Sequence, residues 1–117
     1  MSQTAKFQET LPRLAIFDEG LVEAGFGLGL GQTSALDAKT VALLQVGVSV
    51  AMGSSAVCLH WSTERALAAG ATKDEITEVL LAIIPMAGLG RIVSAAPEVA
   101  TALDYDVESA LEEPNDH

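Results

Sequence analysis

The sequence predicts an all-α fold, and three observations lead to this prediction. Half of the 117 residues are apolar but only five are aromatic, so Ala, Val, Leu and Ile must build the core, as in closely packed helices. Several stretches show helical periodicity with capping residues at their ends. No stretch of useful length alternates apolar and polar residues as a half-buried strand does. We therefore expect about six helices in one compact domain over residues 1–103, followed by an acidic tail over residues 104–117.

The first predicted helix covers residues 10–24, with Pro12 in the first turn, where its missing N–H is tolerated. Leu14, Phe17 and Leu21 form the apolar stripe of this helix. Residues 25–31 follow with glycine at every second position, which predicts a loop or an extended segment. The glycines lack the GxGxxG spacing and follow no strand, so we do not expect them to cradle phosphate.

The second predicted helix covers residues 37–52 and has Asp37 as its N-cap. Its apolar residues surround the helix instead of marking one side: Val41, Leu43, Leu44, Val46, Val48 and Val50. A helix that is apolar all round is buried on every side. A chain of 117 residues can hardly cover such a helix, so we predict a homo-oligomer with a subunit interface here.

Residues 41–59 contain no charged side chain, but Gln45, Gly47 and the 53–55 cluster of Gly and Ser interrupt this stretch. A membrane span needs about 20 predominantly apolar residues, so we predict two helices meeting near Gly53 instead. The third predicted helix covers residues 55–69, and Gly70 follows its end. Between Asp37 and Glu64 the only charged side chain is Lys39, so we expect a site or an interface in this block.

The fourth predicted helix begins with a capping box in which Thr72 and Glu75 satisfy each other's free amides. We expect a kink or break at Pro85, then a bend at residues 88–90 and two short helices at residues 91–95 and 97–103. Residues 104–117 carry six acids and no Lys or Arg, which predicts a solvated tail that frays at residues 114–117.

The charge of the chain excludes some classes of partner. Six basic against sixteen acidic residues give a formal charge of −10, which disfavours nucleic acids and anionic membranes. Cys58 is the only cysteine, so no internal disulfide can form, and a reducing cytoplasm is the expected compartment. No targeting segment is recognised in residues 1–14. No group of residues has metal-ligand spacing, so neither a metal nor another cofactor is expected.

Cys58 is the first candidate for chemistry, because it falls in the first turn of the third predicted helix. Free amides and the helix dipole favour negative charge there, and the thiolate is the nucleophilic form of cysteine. The alternative is that Cys58 is a small buried apolar residue. Ser55 and Ser62 share its helix face, and Ser62 could donate a hydrogen bond to a thiolate. His60 points about 200° away from Cys58 and could lie near Glu64 instead.

Residues 65–76 and 78–81, together with residues 36–40 and 87–88, resemble the carboxymuconolactone decarboxylase family, which includes the AhpD-like alkylhydroperoxidases. The resemblance covers residues 36–103. It implies a compact helical domain that assembles as a trimer or hexamer. The peroxidase branch of the family uses a Cys-x-x-Cys motif, a histidine four positions after the second cysteine, and a glutamate on the preceding helix.

The resemblance places Cys58 on the peroxidatic cysteine, Ser55 on the resolving cysteine and Ser62 on the histidine. Residues 41–44, where the glutamate is expected, contain no acid. The resemblance therefore implies a one-cysteine peroxidase that needs an external thiol as reductant. Two alternatives stay open. The chain is a non-catalytic member that binds a ligand or acts as a scaffold, or it decarboxylates a small lactone acid with His60 in place of the lost histidine.

Overall fold

The computed structural model describes residues 6–16 and 35–112. Within these ranges it contains six helices and no strand, which confirms the predicted all-α class. The helices are α1 (Lys6–Ala15), α2 (Ala38–Ala51), α3 (Ala56–Ala68), α4 (Lys73–Ala87), α5 (Leu89–Ala102) and α6 (Val107–Glu112). The chain divides into two compact units, residues 1–35 and residues 36–117, and the second unit contains α2 to α6.

Helix α1 of the first unit begins at Lys6, four residues before the predicted start. Pro12 consequently lies in the second turn, so the prediction that it occupies the first turn is wrong. The helical turn continues past the proline because Ile16 N–H donates to the carbonyl of Pro12 at 3.1 Å. The remainder of the predicted helix, with Phe17 and Leu21, and the glycine-rich segment 25–31 lie outside the described residues.

Local capping sets the starts of α2 and α4, as the sequence predicts. The Asp37 carboxylate accepts a hydrogen bond from Thr40 N–H at 2.7 Å and caps α2. Thr72 Oγ1 accepts from Glu75 N–H at 3.0 Å, and the Glu75 carboxylate accepts from Thr72 N–H at 2.9 Å. This reciprocal pair is the predicted capping box. Gly70 follows the end of α3 with φ +98°, a conformation that favours glycine.

The prolines of α4 and α5 do not break their helices. Helix α4 continues for two residues beyond Pro85, so of the predicted kink or break the break is wrong. Helix α5 is one helix that includes Pro97, so the predicted pair of short helices is also wrong. Each proline removes one intrahelical hydrogen bond. Pro97 has no N–H to donate to the carbonyl four residues earlier in the helix. Because this side of α5 is exposed, water can donate to that carbonyl instead. The buried face of α5 outweighs this loss, and it consists of Ile92, Ala95 and Val99.

The core of the second unit forms where α2 packs against α3 and α4, and α5 packs against the same two helices. Its buried side chains are mostly small or aliphatic, as the composition predicts. They include Ala42, Val46, Val50, Leu59, Ala66, Ile76, Leu80, Ile92, Ala95 and Val99. This arrangement leaves the turn between α2 and α3, and the beginning of α3, next to the face of α5.

One chain alone does not bury helix α2 on every side, as expected from its sequence. Two of its apolar side chains, Leu44 and Val48, and Met52 at its C-cap remain exposed at 54%, 55% and 72%. The opposite side of the helix supplies the core. The subunit interface inferred from this helix stays a prediction. Among the described helices, none combines the length and the apolar character needed to cross a bilayer.

Helix α6 lies in the segment that the sequence predicts as a solvated tail. The Asp106 carboxylate accepts a hydrogen bond from Ser109 N–H at 3.0 Å, in the manner of an N-cap, and α6 packs against α5. Most side chains of α6 are exposed and none is buried. The Asp-Val-Glu-Ser run is the local signal for this helix, while residues 113–117 lie outside the described part.

The capping carboxylates should make stability depend on acid pH. The pKa of Glu75 lies below its ordinary value of 4.5, because Thr72 N–H and the Lys39 ammonium donate hydrogen bonds to it. The pKa of Asp37 is lowered by hydrogen bonds from Thr40. A carboxyl whose pKa is depressed on folding stabilises the fold above its unfolded pKa, and this contribution is lost as pH falls through the folded pKa.

We therefore expect the melting temperature to fall below about pH 4.5, and to fall less steeply in Glu75→Gln than in the parent protein. Thermal unfolding followed by circular dichroism across acid pH measures this slope. Glu78→Gln, an exposed position on the same helix, is the matched control and should keep the parent slope. An unchanged slope in Glu75→Gln would contradict the assignment.

Candidate functional site

The beginning of α3 is built by a local cap. Ser55 has an extended backbone (φ −65°, ψ 162°), and its Oγ accepts a hydrogen bond from Cys58 N–H at 3.4 Å. Ser55 is therefore the N-cap of α3, and Cys58 occupies the third helical position. The predicted start of this helix is confirmed. A serine serves this position well because its side chain replaces the helical partner that a first-turn amide lacks.

Cys58 is exposed at the surface of this first turn. The alternative that it is a buried apolar residue is therefore wrong. Exposure allows a peroxide or a second thiol to approach the sulfur, since attack at sulfur requires an open path. Its N–H is already bonded to Ser55, so the cap fixes the backbone that carries the thiol.

Ser62 lies one turn after Cys58 but is buried, with 2% of its surface exposed. Its Oγ–H donates to the carbonyl of Leu59 at 3.2 Å. The hydroxyl has one proton, so a hydrogen bond from Ser62 to a Cys58 thiolate requires rotation away from Leu59. The hydroxyl still has lone pairs to accept a hydrogen bond.

His60 is held by a carboxylate from another helix. Its Nε2 lies 3.1 Å from Glu98 Oε2 of α5, and both side chains are partly exposed. Glu64, the neighbour that the sequence suggests, lines a shallow surface depression of α3 together with His60 and Trp61. Glu98 is 38 positions away in the chain, so no local pattern could indicate this pair.

The guanidinium of Arg91 lies directly over Gly53, in the turn between α2 and α3. Gly53 has φ +66°, and a β-carbon built on it would overlap Arg91 Nη1. This backbone can therefore approach the guanidinium only because residue 53 has no side chain. Among the described residues, none forms a hydrogen bond or ion pair with the Arg91 side chain.

Arg91 is part of the lining of two cavities in the second unit. The first is a polar pocket of about 260 Å³ at the beginning of α3, whose polar lining is Ser54, Arg91, Ser94 and Glu98. The second is a groove of about 640 Å³ between α2 and α4, and Arg91 lies at one end of it. Apart from Thr40 and Arg91, the groove is lined by apolar residues and Gly47. Cys58 is not part of the lining of either cavity.

The all-helical fold agrees with a comparison against known families. The profile of the carboxymuconolactone decarboxylase family matches residues 17–102, which is more than two thirds of the chain. The chain belongs to the carboxymuconolactone decarboxylase family. No curated protein and no solved structure matched it.

Within this family member, the structure brings only part of the predicted site together. Ser55 and Cys58 are joined through the cap, whereas Ser62 is directed to the helix carbonyl and His60 is engaged with Glu98. In the part of the chain that the structure describes, no cluster of three or more His, Cys, Asp or Glu could hold a metal ion. The sequence prediction missed Arg91, Ser94 and Glu98, because they come from α5, which is remote in the chain.

Proposed function

We propose that this member of the carboxymuconolactone decarboxylase family is a one-cysteine, thiol-dependent peroxidase of the AhpD-like type, with Cys58 as the nucleophile. The observation that carries the proposal is the exposed Cys58 thiol in the capped first turn of α3. The positive end of the helix dipole favours negative charge at this place. Exposure also matters for the second half of the reaction, because the external reductant must reach the same sulfur.

The proposed cycle balances without a metal or a second cysteine. The Cys58 thiolate attacks the distal oxygen of a hydroperoxide, the O–O bond breaks, an S–O bond forms, and the alkoxide takes a proton from water. The sulfur is oxidised by two electrons to sulfenic acid. A first external thiol displaces water and forms a mixed disulfide, and a second releases reduced Cys58 and the external disulfide. Ser55 takes no part as a resolving group because it has no thiol.

Two further features belong to this proposal. The exposed apolar Met52 at the C-cap of α2, outside the groove between α2 and α4, supports self-association there, and the family resemblance favours a trimer or hexamer. Light scattering should then give several times the chain mass of 12.1 kDa. The cycle also requires a pool of reduced thiol, which is the condition of the cytoplasm.

Oxidation of the protein by hydrogen peroxide in the presence of dimedone tests the proposal. We expect one dimedone adduct per chain by mass spectrometry, and none in Cys58→Ser, because Cys58 is the only cysteine. With glutathione as reductant, peroxide consumption should exceed that of glutathione with the Cys58→Ser protein. Equal consumption by the two proteins, together with no adduct in the parent, would reject the peroxidase.

A second candidate function is ligand binding without catalysis. The groove between α2 and α4 and the guanidinium of Arg91, which no side chain of the described residues pairs, support this candidate, because the peroxidase cycle uses neither. It predicts that Cys58→Ala leaves a bound ligand and the assembly intact. Peroxide consumption that depends on Cys58 would reject ligand binding as the sole function, and a titration with the ligand measures binding itself.

A further inference from the structure

We propose that the groove between α2 and α4 binds amphipathic monocarboxylates, with the apolar tail in the groove and the carboxylate on Arg91. The proposal rests on the ligand-binding candidate described above and names the ligand that the groove would take. It is independent of any chemistry at Cys58.

The groove has the size and lining for an unbranched hydrocarbon tail. Its volume of about 640 Å³ lies within the range of small-molecule sites, which are about 300–1,000 Å³. Leu44 and Val48 of α2 and Ile83 and Met86 of α4 contribute apolar side chains to it. Gly47 keeps the two helices close, because a β-carbon there would lie 3.3 Å from Val79 Cγ1. A tail placed there removes apolar surface of both molecules from water, which favours binding.

Arg91 supplies the charge complementarity at the end of the groove. Lys39 is paired with Glu75, and Arg65 donates to Gln45 while its guanidinium covers the Trp61 ring. Arg91 differs from both, since none of the side chains in residues 6–16 and 35–112 forms a hydrogen bond or an ion pair with it. A guanidinium offers two parallel N–H donors, which match the two oxygens of a carboxylate.

The polar pocket beyond Arg91 limits the negative charge that the head group of the ligand can carry. Glu98 lies seven residues after Arg91 on α5, two turns away on the same face, or about 10 Å along the axis. Its carboxylate faces the same pocket and would repel a second negative charge. The site therefore favours a single carboxylate over a diacid. Ser54 and Ser94 can donate or accept further hydrogen bonds to its oxygens.

Calorimetric titration with dodecanoate and with dodecan-1-ol, both below their aggregation concentrations, tests this proposal. The two probes share the tail and differ in charge, so the parent protein should bind dodecanoate more tightly. Arg91→Gln should weaken dodecanoate binding at least about tenfold and leave dodecanol binding unchanged. Lys73→Gln, which removes an equal charge at an exposed position outside the groove, should change neither affinity.

A second variant tests the groove itself. Ala82 is exposed and lines the groove, so Ala82→Phe fills space without altering the core and should weaken both probes. Equal parent affinities for the two probes, or an unchanged dodecanoate affinity in Arg91→Gln, would overturn the proposal. So would no binding of either probe, the result expected if a second copy of the chain covers the groove. Neither outcome bears on Cys58 oxidation, so the two proposals fail separately.

Discussion

Replacement of Ile76 by alanine should lower the free energy of unfolding by about 2–5 kcal/mol, because the change leaves a cavity in a closed core. Ile76 has no exposed surface and is among the largest fully buried side chains of the described residues. It follows the Thr72–Glu75 capping box by one residue, in the part of α4 that packs on α2. The capping box keeps the first turn of α4 helical, and the Lys39–Glu75 ion pair joins that turn to α2, so the cavity can collapse only in part.

Urea denaturation at neutral pH measures this effect. Leu81→Ala is the matched control, because Leu81 lies on the same helix with 61% of its surface exposed, and its truncation should cost under about 1 kcal/mol. Equal losses in Ile76→Ala and Leu81→Ala would mean that Leu81 is covered in solution, for example by a second copy. A loss below about 1 kcal/mol for Ile76→Ala would contradict its place in the core.

Features of the fold that depend on neighbouring residues could be predicted from the sequence. Asp37 and Thr72 form caps with residues three positions ahead, so both helix starts are encoded within one turn. Pro97 shows the limit of such reasoning. Its local effect is to remove one hydrogen bond, but the buried face of α5 decides the outcome, and that packing depends on helices far away in the chain.

In the candidate site, too, only the features that depend on neighbouring residues could be predicted from the sequence. The place of Cys58 in a first turn follows from Ser55 and the apolar run after it. Glu98 and Arg91 could not be found in this way, because their partners His60 and Gly53 lie 38 residues away in each case. Only the packing of α5 against α3 and against the turn before it brings these pairs together. The stretch between Asp37 and Glu64, which suggested a site, therefore contains only one part of the candidate site. Helix α5 supplies its charged side chains, Arg91 and Glu98.

Replacement of Gly53 by alanine should lower the free energy of unfolding by about 1–3 kcal/mol, because the residue would keep a left-handed backbone that only glycine adopts freely. Its φ of +66° is set by the turn that joins α2 to α3. The new methyl group would also overlap the guanidinium of Arg91. That guanidinium is the end of a flexible side chain and can move away, so we expect the backbone to account for most of the loss.

A double-mutant cycle with Arg91→Ala separates the two causes. If backbone strain dominates, Gly53→Ala should cost nearly the same free energy in the parent and in Arg91→Ala, within about 0.5 kcal/mol. A much smaller cost in Arg91→Ala would assign the loss to the overlap and show that Arg91 is held firmly over the turn. Gly53→Ala should also weaken dodecanoate binding while sparing dodecanol, since displacement of the guanidinium moves the charge but leaves the groove open. Urea denaturation and calorimetry on the same four proteins measure both effects.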